Sequence, residues 1–344
     1  MSTPLEQRYR RVLKLLPPYY RADWEEDMVS AFLDSMTTGD PEMDEVAADL
    51  GRPGIGELAS VAALAIRLRL GGSGAPPRYF AWGQAVRRAV LIVTMMQAAI
   101  ALPSLVIMLW EAGRIGFLPV PAPGLSTAGH PDAWRLPVVL LGYAWLPAFL
   151  ELIRGHRRAA QLWALAATVP IAVTAVRSLG SPPHLAPTLA WANLLLLNVL
   201  PIAAMAAFHR DAPPLSRANW LTGLLASVAF IAVPLEVVQY GTLTRQLADA
   251  PGRVVVIVAV LGVLQLGRVL VSRDPARSSW SLALALLAAH AVLLRVVTLG
   301  VYPRDPSLAT VGALEALGLA LLGVVLAADG SRALRRPEPS GRSA

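Results

Sequence analysis

The chain contains no cysteine. That excludes a disulfide framework, a cysteine-based zinc site and a thiol nucleophile, and it leaves the redox compartment unread. Lysine is almost missing too, with Lys14 the lone example among 30 Lys and Arg residues. Arginine in its place, with abundant Ala and Leu, points to a GC-rich bacterial genome rather than to chemistry. Charge as a whole is scarce: 15% of residues are charged, against about 25% in a soluble domain. The deficit is filled by apolar residues, 55% of the chain, at a mean hydropathy of +0.54. This composition belongs to the membrane class.

Catalytic signatures are missing as well. No HExxH pair, GxSxG elbow or GxxxxGK[ST] phosphate loop occurs, so the zincin, hydrolase and P-loop arrangements are excluded. The histidines His130, His156, His184, His209 and His290 are scattered over different loops and apolar stretches. GGSG at Gly71 has linker composition, and no strand precedes it as a nucleotide fingerprint would require. The expectation is a protein that is not an enzyme, with no cofactor and no metal.

Charge divides the chain. Residues 1–70 hold 8 Arg/Lys and 12 Asp/Glu, a net −4; residues 71–344 hold 22 Arg and 11 Asp/Glu, a net +11. A basic pI suggests nucleic acid in a soluble protein. Here the arginines stand in short loops between apolar stretches, so direct nucleic-acid binding is not expected. The opening MSTPLEQRYRRVLKLLPP lacks the roughly 7–15-residue apolar core of a secretory signal. The front is therefore expected to stay in the cytoplasm, with the first apolar stretch as an uncleaved anchor.

A spanning helix needs about 20 mostly apolar residues. Eight stretches qualify: about 89–110, 136–153, 159–178, 188–208, 219–240, 254–272, 280–301 and 308–328. The second and third are parted only by the polar turn RGHRR, Arg154 to Arg158. With the front inside, the inner loops and tail carry 13 arginines and the outer loops 6. This positive-inside bias supports eight spans with both termini in the cytoplasm of a bacterial cell membrane. Pro103, Pro147, Pro170, Pro201 and Pro234 lie in or near the ends of spans, where kinks are expected. Trp110, Trp134, Trp145, Trp163, Trp191, Trp220 and Trp280 mostly fall near span ends and suit interfacial anchoring.

Ionisable residues inside spans are costly and are functional candidates by default. Glu236, His290, Arg295 and Glu315 are the four. Glu236, Arg295 and Glu315 share a similar depth, so Arg295 has two carboxylates within reach; His290, five residues away, faces to one side. Two readings stay open. One is a polar cavity for an ion, proton or small ligand, as a transporter or transport subunit would use. The other is an ion pair that fixes helix order. Asn193, Asn198, Gln97 and Gln265 are candidates for bonds between helices, and Glu151 for a local pair with Arg154 or Arg158.

The front reads differently. Leu5, Tyr9, Val12, Leu13 and Leu16 recur at helical spacing, and Pro17 and Pro18 stop that helix. Trp24, Met28, Phe32, Leu33 and Met36 form a second stripe, with Asp23, Glu25, Glu26 and Asp27 in its first turns and Gly39 at its end. Ile55, Leu58, Val61, Ala62, Ala65 and Leu68 form a third. Tyr9, Trp24 and Phe32 are expected in the core, and the acidic run Glu42 to Asp49 on a solvated face. The expected architecture is all-α: a cytoplasmic three-helix module over 1–70, a linker over 71–86 that begins GGSGAPP, a bundle of about eight transmembrane helices over 87–330, and a tail over 331–344.

The pattern RYRRVLKLLPPYYRADWEEDMVSAFLD resembles the HAAS-type signalling domain and is similar to the permease prefix domain. The matching positions are Leu16, Pro17, Tyr20, Arg21, Glu25, Glu26, Met28, Phe32 and Leu33. The resemblance covers roughly residues 5–70. It implies a helical prefix before a transmembrane region and a role in signalling or regulation. The partner it implies is a PadR-like transcription regulator or a transport ATPase. Tyr20, Arg21, Glu25 and Glu26 are the docking candidates.

Overall fold

The computed structural model describes residues 3–37, 39, 40, 46, 49, 51–72, 75–117, 136–179, 185–209, 214–237, 250–271, 277–301 and 306–335. Every regular element among them is a helix: α1 (Pro4–Leu13), α2 (Pro18–Met36), α3 (Ile55–Arg69), α4 (Pro77–Glu111), α5 (Leu136–Leu141), α6 (Trp145–Arg154), α7 (Arg157–Leu179), α8 (Leu185–Ala204), α9 (Arg217–Val237), α10 (Ala250–Val271), α11 (Arg277–Val301) and α12 (Pro306–Arg335). Short 3₁₀ turns join α5 to α6 and follow α8. The chain divides into two units: residues 1–83 with 209–212, and 84–208 with 213–344.

In the first unit, Thr3 caps α1 by accepting a hydrogen bond from the Glu6 amide at 3.2 Å, which satisfies one of the amides a helix start leaves open. The α1 stripe then buries Leu5, Tyr9, Leu13 and Leu16. Pro18 can begin α2 because the first helical turn needs no amide donor there. Val29 and Phe32 of α2 complete this core with Val61, Ala65 and Leu68 of α3. The Tyr9 and Phe32 rings stack with centroids 4.0 Å apart, and the Tyr9 hydroxyl donates to Glu57 Oε1 at 2.8 Å, tying α1 to α3. Burial, and then the neighbouring Glu57 carboxylate, push the Tyr9 phenol well above its ordinary range.

Three expectations change here. Trp24 is exposed, not core, and stacks on Tyr20. Helix α2 begins at Pro18, so its acidic residues lie beyond its first turn. On α3, Ile55 is 86% exposed and Leu58 is exposed too. That helix is apolar on both faces, and the face that turns inward is the one led by Glu57, which Tyr9 engages.

The end of α3 is built into the start of α4. Gly71 takes the left-handed conformation (φ +84°) that side chains rarely adopt. The amides of Gly71 and Gly72 return to the carbonyls of Leu68 and Arg67, closing a Schellman turn. A Cβ on Gly71 would meet Phe80 Cα at 2.7 Å, and one on Gly83 would collide with the Leu70 carbonyl. Tyr19 and Tyr79 rings lie 5.4 Å apart across the same seam. Of the stretch 71–86, residues 77–86 are helical: Pro77 suits a helix start, and only Gly83 weakens the turns after it.

In the second unit, α4 is buried on two sides. Ala85, Ala89, Ile92 and Met96 enter a cluster with Val258, Leu287 and Leu319. Leu91 and Ala98 enter another with Phe149, Leu152, Ala164 and Met205. Trp145 is buried in that second cluster instead of standing at an interface. Helix α6 ends at Gly155 with the His156 amide bonded back to Glu151, so the RGHRR turn does separate two helices. Six described stretches are long and apolar enough to cross a membrane: 77–110, 137–154, 157–177, 254–271, 278–297 and 309–332. In α8 the apolar stretch is the shorter Ala192–Ala207. The expected span 219–240 runs past Val237 and so partly outside the described residues.

Less than half of each of the six stretches is buried. On α12, Leu314, Leu317, Leu321 and Val324 point outward while Ala316, Leu319 and Leu326 pack inward. Both faces are apolar, which is the pattern of a helix with protein on one side and lipid on the other.

Candidate functional site

Helices α11 and α12 form an antiparallel pair whose register can be read residue by residue. Ser281 meets Asp329, and Arg295 meets Glu315. Between these ties the backbones approach closely. A Cβ on Gly323 would lie 3.2 Å from that of Ala288, and one on Gly330 would reach Leu282 Cγ at 2.6 Å. Ser281, Ala288 and Arg295 are seven residues apart, the spacing that keeps one helix face on a partner. The polar ties are therefore fourteen residues apart on each helix, or about 21 Å. That separation is shorter than the hydrocarbon layer of a bilayer, about 30 Å thick.

The first tie is an ion pair. Arg295 Nε lies 2.7 Å from Glu315 Oε2, with the side chains only 1% and 10% exposed. Glu315, one of the two carboxylates expected at similar depth, thus meets Arg295. His290, on the same helix, is partly buried and takes no part in the pair. Glu236 belongs to α9, and its side chain lies outside the described residues.

The second tie is a buried chain of neutral and charged groups. Gln265 Nε2 of α10 donates to Ser281 Oγ at 3.2 Å, and Ser281 Oγ donates to Asp329 Oδ2 at 2.8 Å. Two residues away, Arg88 of α4 donates to Ser279 Oγ at 2.6 Å and sits 4.4 Å over the Trp280 ring. Elsewhere Gln97 of α4 donates to Asn198 of α8 at 2.8 Å. Glu151 pairs with Arg154 and also with His156, each at 2.7 Å. Sequence reasoning missed Ser281 and Asp329. Their signal was the fourteen-residue spacing they share with Arg295 and Glu315, which hydropathy does not show.

The docking candidates in the first unit are largely engaged with one another. Arg10 holds Glu26 through both carboxylate oxygens at 2.7 Å, Glu6 at 2.8 Å and Glu25 at 3.7 Å. Arg21 lies 3.6 Å from Glu25, and Tyr20 packs partly into the core. The Arg10 hydrogen bonds hold the Glu26 carboxyl below the usual carboxylate range. What α2 presents outward is a different row: Asp23, Asp27, Ser30 and Asp34, all exposed and recurring at helical spacing, with exposed Trp24 beside them.

Among the described residues no three His, Asp or Glu side chains converge as a metal site would. The described polar groups inside the apolar helices meet across helices: Arg295 with Glu315, Gln265 and Asp329 through Ser281, and Gln97 with Asn198. No protein-family model, curated protein or solved structure matches this chain.

Proposed function

We propose that this is an integral membrane protein with a regulatory or signalling role, in which the N-terminal helical unit docks a cytoplasmic partner through α2. The observation that carries the reading is the outward row Asp23, Asp27, Ser30 and Asp34 on a unit with its own buried core. Three carboxylates on one helix face suit a basic partner surface, and Trp24 adds an aromatic anchor of the kind that dominates binding energy. The resemblance to HAAS-type and permease prefix domains supports the same role. It names a PadR-like regulator or a transport ATPase as the partner class. Glu25 and Glu26 then serve the unit's internal ties, and the docking row lies beside them.

The test is affinity recovery from native membranes, comparing the full chain with Asp23→Arg/Asp27→Arg/Asp34→Arg. A regulator or ATPase recovered with the unaltered chain and lost with the variant is the expected result. Equal recovery removes α2 as the docking face. A transport role for the polar groups has less support, because Arg295 and Glu315 are closed on each other at 2.7 Å.

A further inference from the structure

Helix α3 carries an apolar face that its own unit does not use. Its core face is Val61, Ala65 and Leu68. On an adjoining face Ile55, Ala59, Ala62 and Ile66 recur at i, i+4, i+7 and i+11, one helical stripe. Ile55 is 86% and Ile66 48% exposed, and Leu58 and Ala63 are exposed at its edges. The charges near the stripe are Arg67 and Arg69, both exposed, at its C-terminal end.

The C-terminal end of α3 is joined to the start of α4. Leu70 packs against Gly83 of α4. Four residues after Gly83 in the sequence come Arg87 and Arg88, which border the apolar run of the first span. Exposed Phe80 and Trp82 lie at this same level of α4, where aromatic side chains prefer the membrane–water boundary.

The geometry points to the bilayer surface as the occupant of this face. We infer that α3 lies on acidic phospholipid, its Ile55–Ala59–Ala62–Ile66 stripe set into the boundary and Arg67 and Arg69 on the headgroup phosphates. Apolar area plus basic residues is how interfacial helices bind. The α2 row cannot serve there, since its carboxylates would face like charge. The inference rests on the membrane reading of the six apolar helices and is independent of the α2 partner.

Because the chain has no cysteine, a nitroxide can be placed singly on the full-length protein at Ile66→Cys, Asp27→Cys or Leu321→Cys. Each is reconstituted in vesicles of phosphatidylcholine with phosphatidylglycerol. The probe at Ile66 is expected to be severalfold more accessible to oxygen, relative to a polar nickel chelate, than the probe at Asp27. It should approach the probe at Leu321, on the outward face of α12. Arg67→Gln/Arg69→Gln should lower that ratio, and so should omission of phosphatidylglycerol. An Ile66 probe as open to nickel as Asp27 overturns the inference, and so does one shielded from both reagents, which marks a protein in that place. If the Leu321 probe also reads as water, the membrane reading fails with it, and the two failures are told apart.

Discussion

Arg10 and Arg295 each face glutamate at 2.7–2.8 Å, in two very different surroundings. Arg10 is 30% exposed and its partner Glu26 78%; water solvates both whether or not they meet. Such pairs add little to stability and fade with salt. Arg295 and Glu315 are almost wholly enclosed by apolar helices. There the alternative to pairing is a buried lone charge, so removing one partner costs about 3–5 kcal/mol. The same two functional groups therefore do different work. In the first unit they trim a fold that Tyr9, Phe32 and their neighbours already hold. In the second they select one register among the many that Ala- and Leu-rich helices would accept.

The largest expected effect is at the buried pair. Glu315→Gln should lower folded yield and the thermal midpoint in detergent, by about 3–5 kcal/mol of stability, while Arg295→Met/Glu315→Leu should recover most of the loss. Normal yield with lost partner recovery or transport would make the pair functional instead of structural. Next comes the joint between α3 and α4. Gly83→Ala places a methyl against the Leu70 carbonyl, and overpacking of this kind costs about 1–3 kcal/mol. Limited proteolysis between α3 and α4 should speed up; unchanged cleavage would show that the seam yields.

The smallest effect belongs to Glu26→Gln. Its carboxyl pKa is lowered in the folded state by Arg10, so any stability it contributes is present above the ordinary carboxylate range. That contribution is lost as pH falls through the lowered value. Variant and parent should therefore differ slightly near neutrality, converge in acid, and converge in high salt. A difference as large as that of Glu315→Gln would abolish the contrast between the two ion pairs.

The all-helical class and the membrane character were legible because long apolar runs leave few alternatives. The α1 stripe was legible too, since Arg8, Arg10, Arg11 and Lys14 mark its polar side. The third helix was expected where it lies, with Val61, Ala65 and Leu68 inward; Ile55 and Leu58 were misplaced because apolar residues lie on both of its faces and periodicity alone does not say which turns inward. The expected spans 188–208 and 219–240 lie partly outside the described side chains; within these, α8 and the turn after it carry the apolar stretch Ala192–Ala207. Arg295 and Glu315 stood out as charges in apolar surroundings. Ser281 did not, since serine is unremarkable in a span, and Asp329 fell just past the last expected span, which ended at about residue 328. Their pairing depends on helix register, which emerges only when Gly323 and Gly330 let the two backbones close.

The order of synthesis gives the α11–α12 register a further meaning. Arg295 leaves the ribosome twenty residues before Glu315, an interval of about 1–4 s at about 5–20 residues per second. Through that interval α11 carries a cation whose partner carboxylate has not yet been made. If the two helices enter the bilayer together as a hairpin, the charge is neutralised on arrival. Chains truncated between Val301 and Pro306 would then stall at the insertion machinery with α11 outside the lipid, although every residue of α11 has been made.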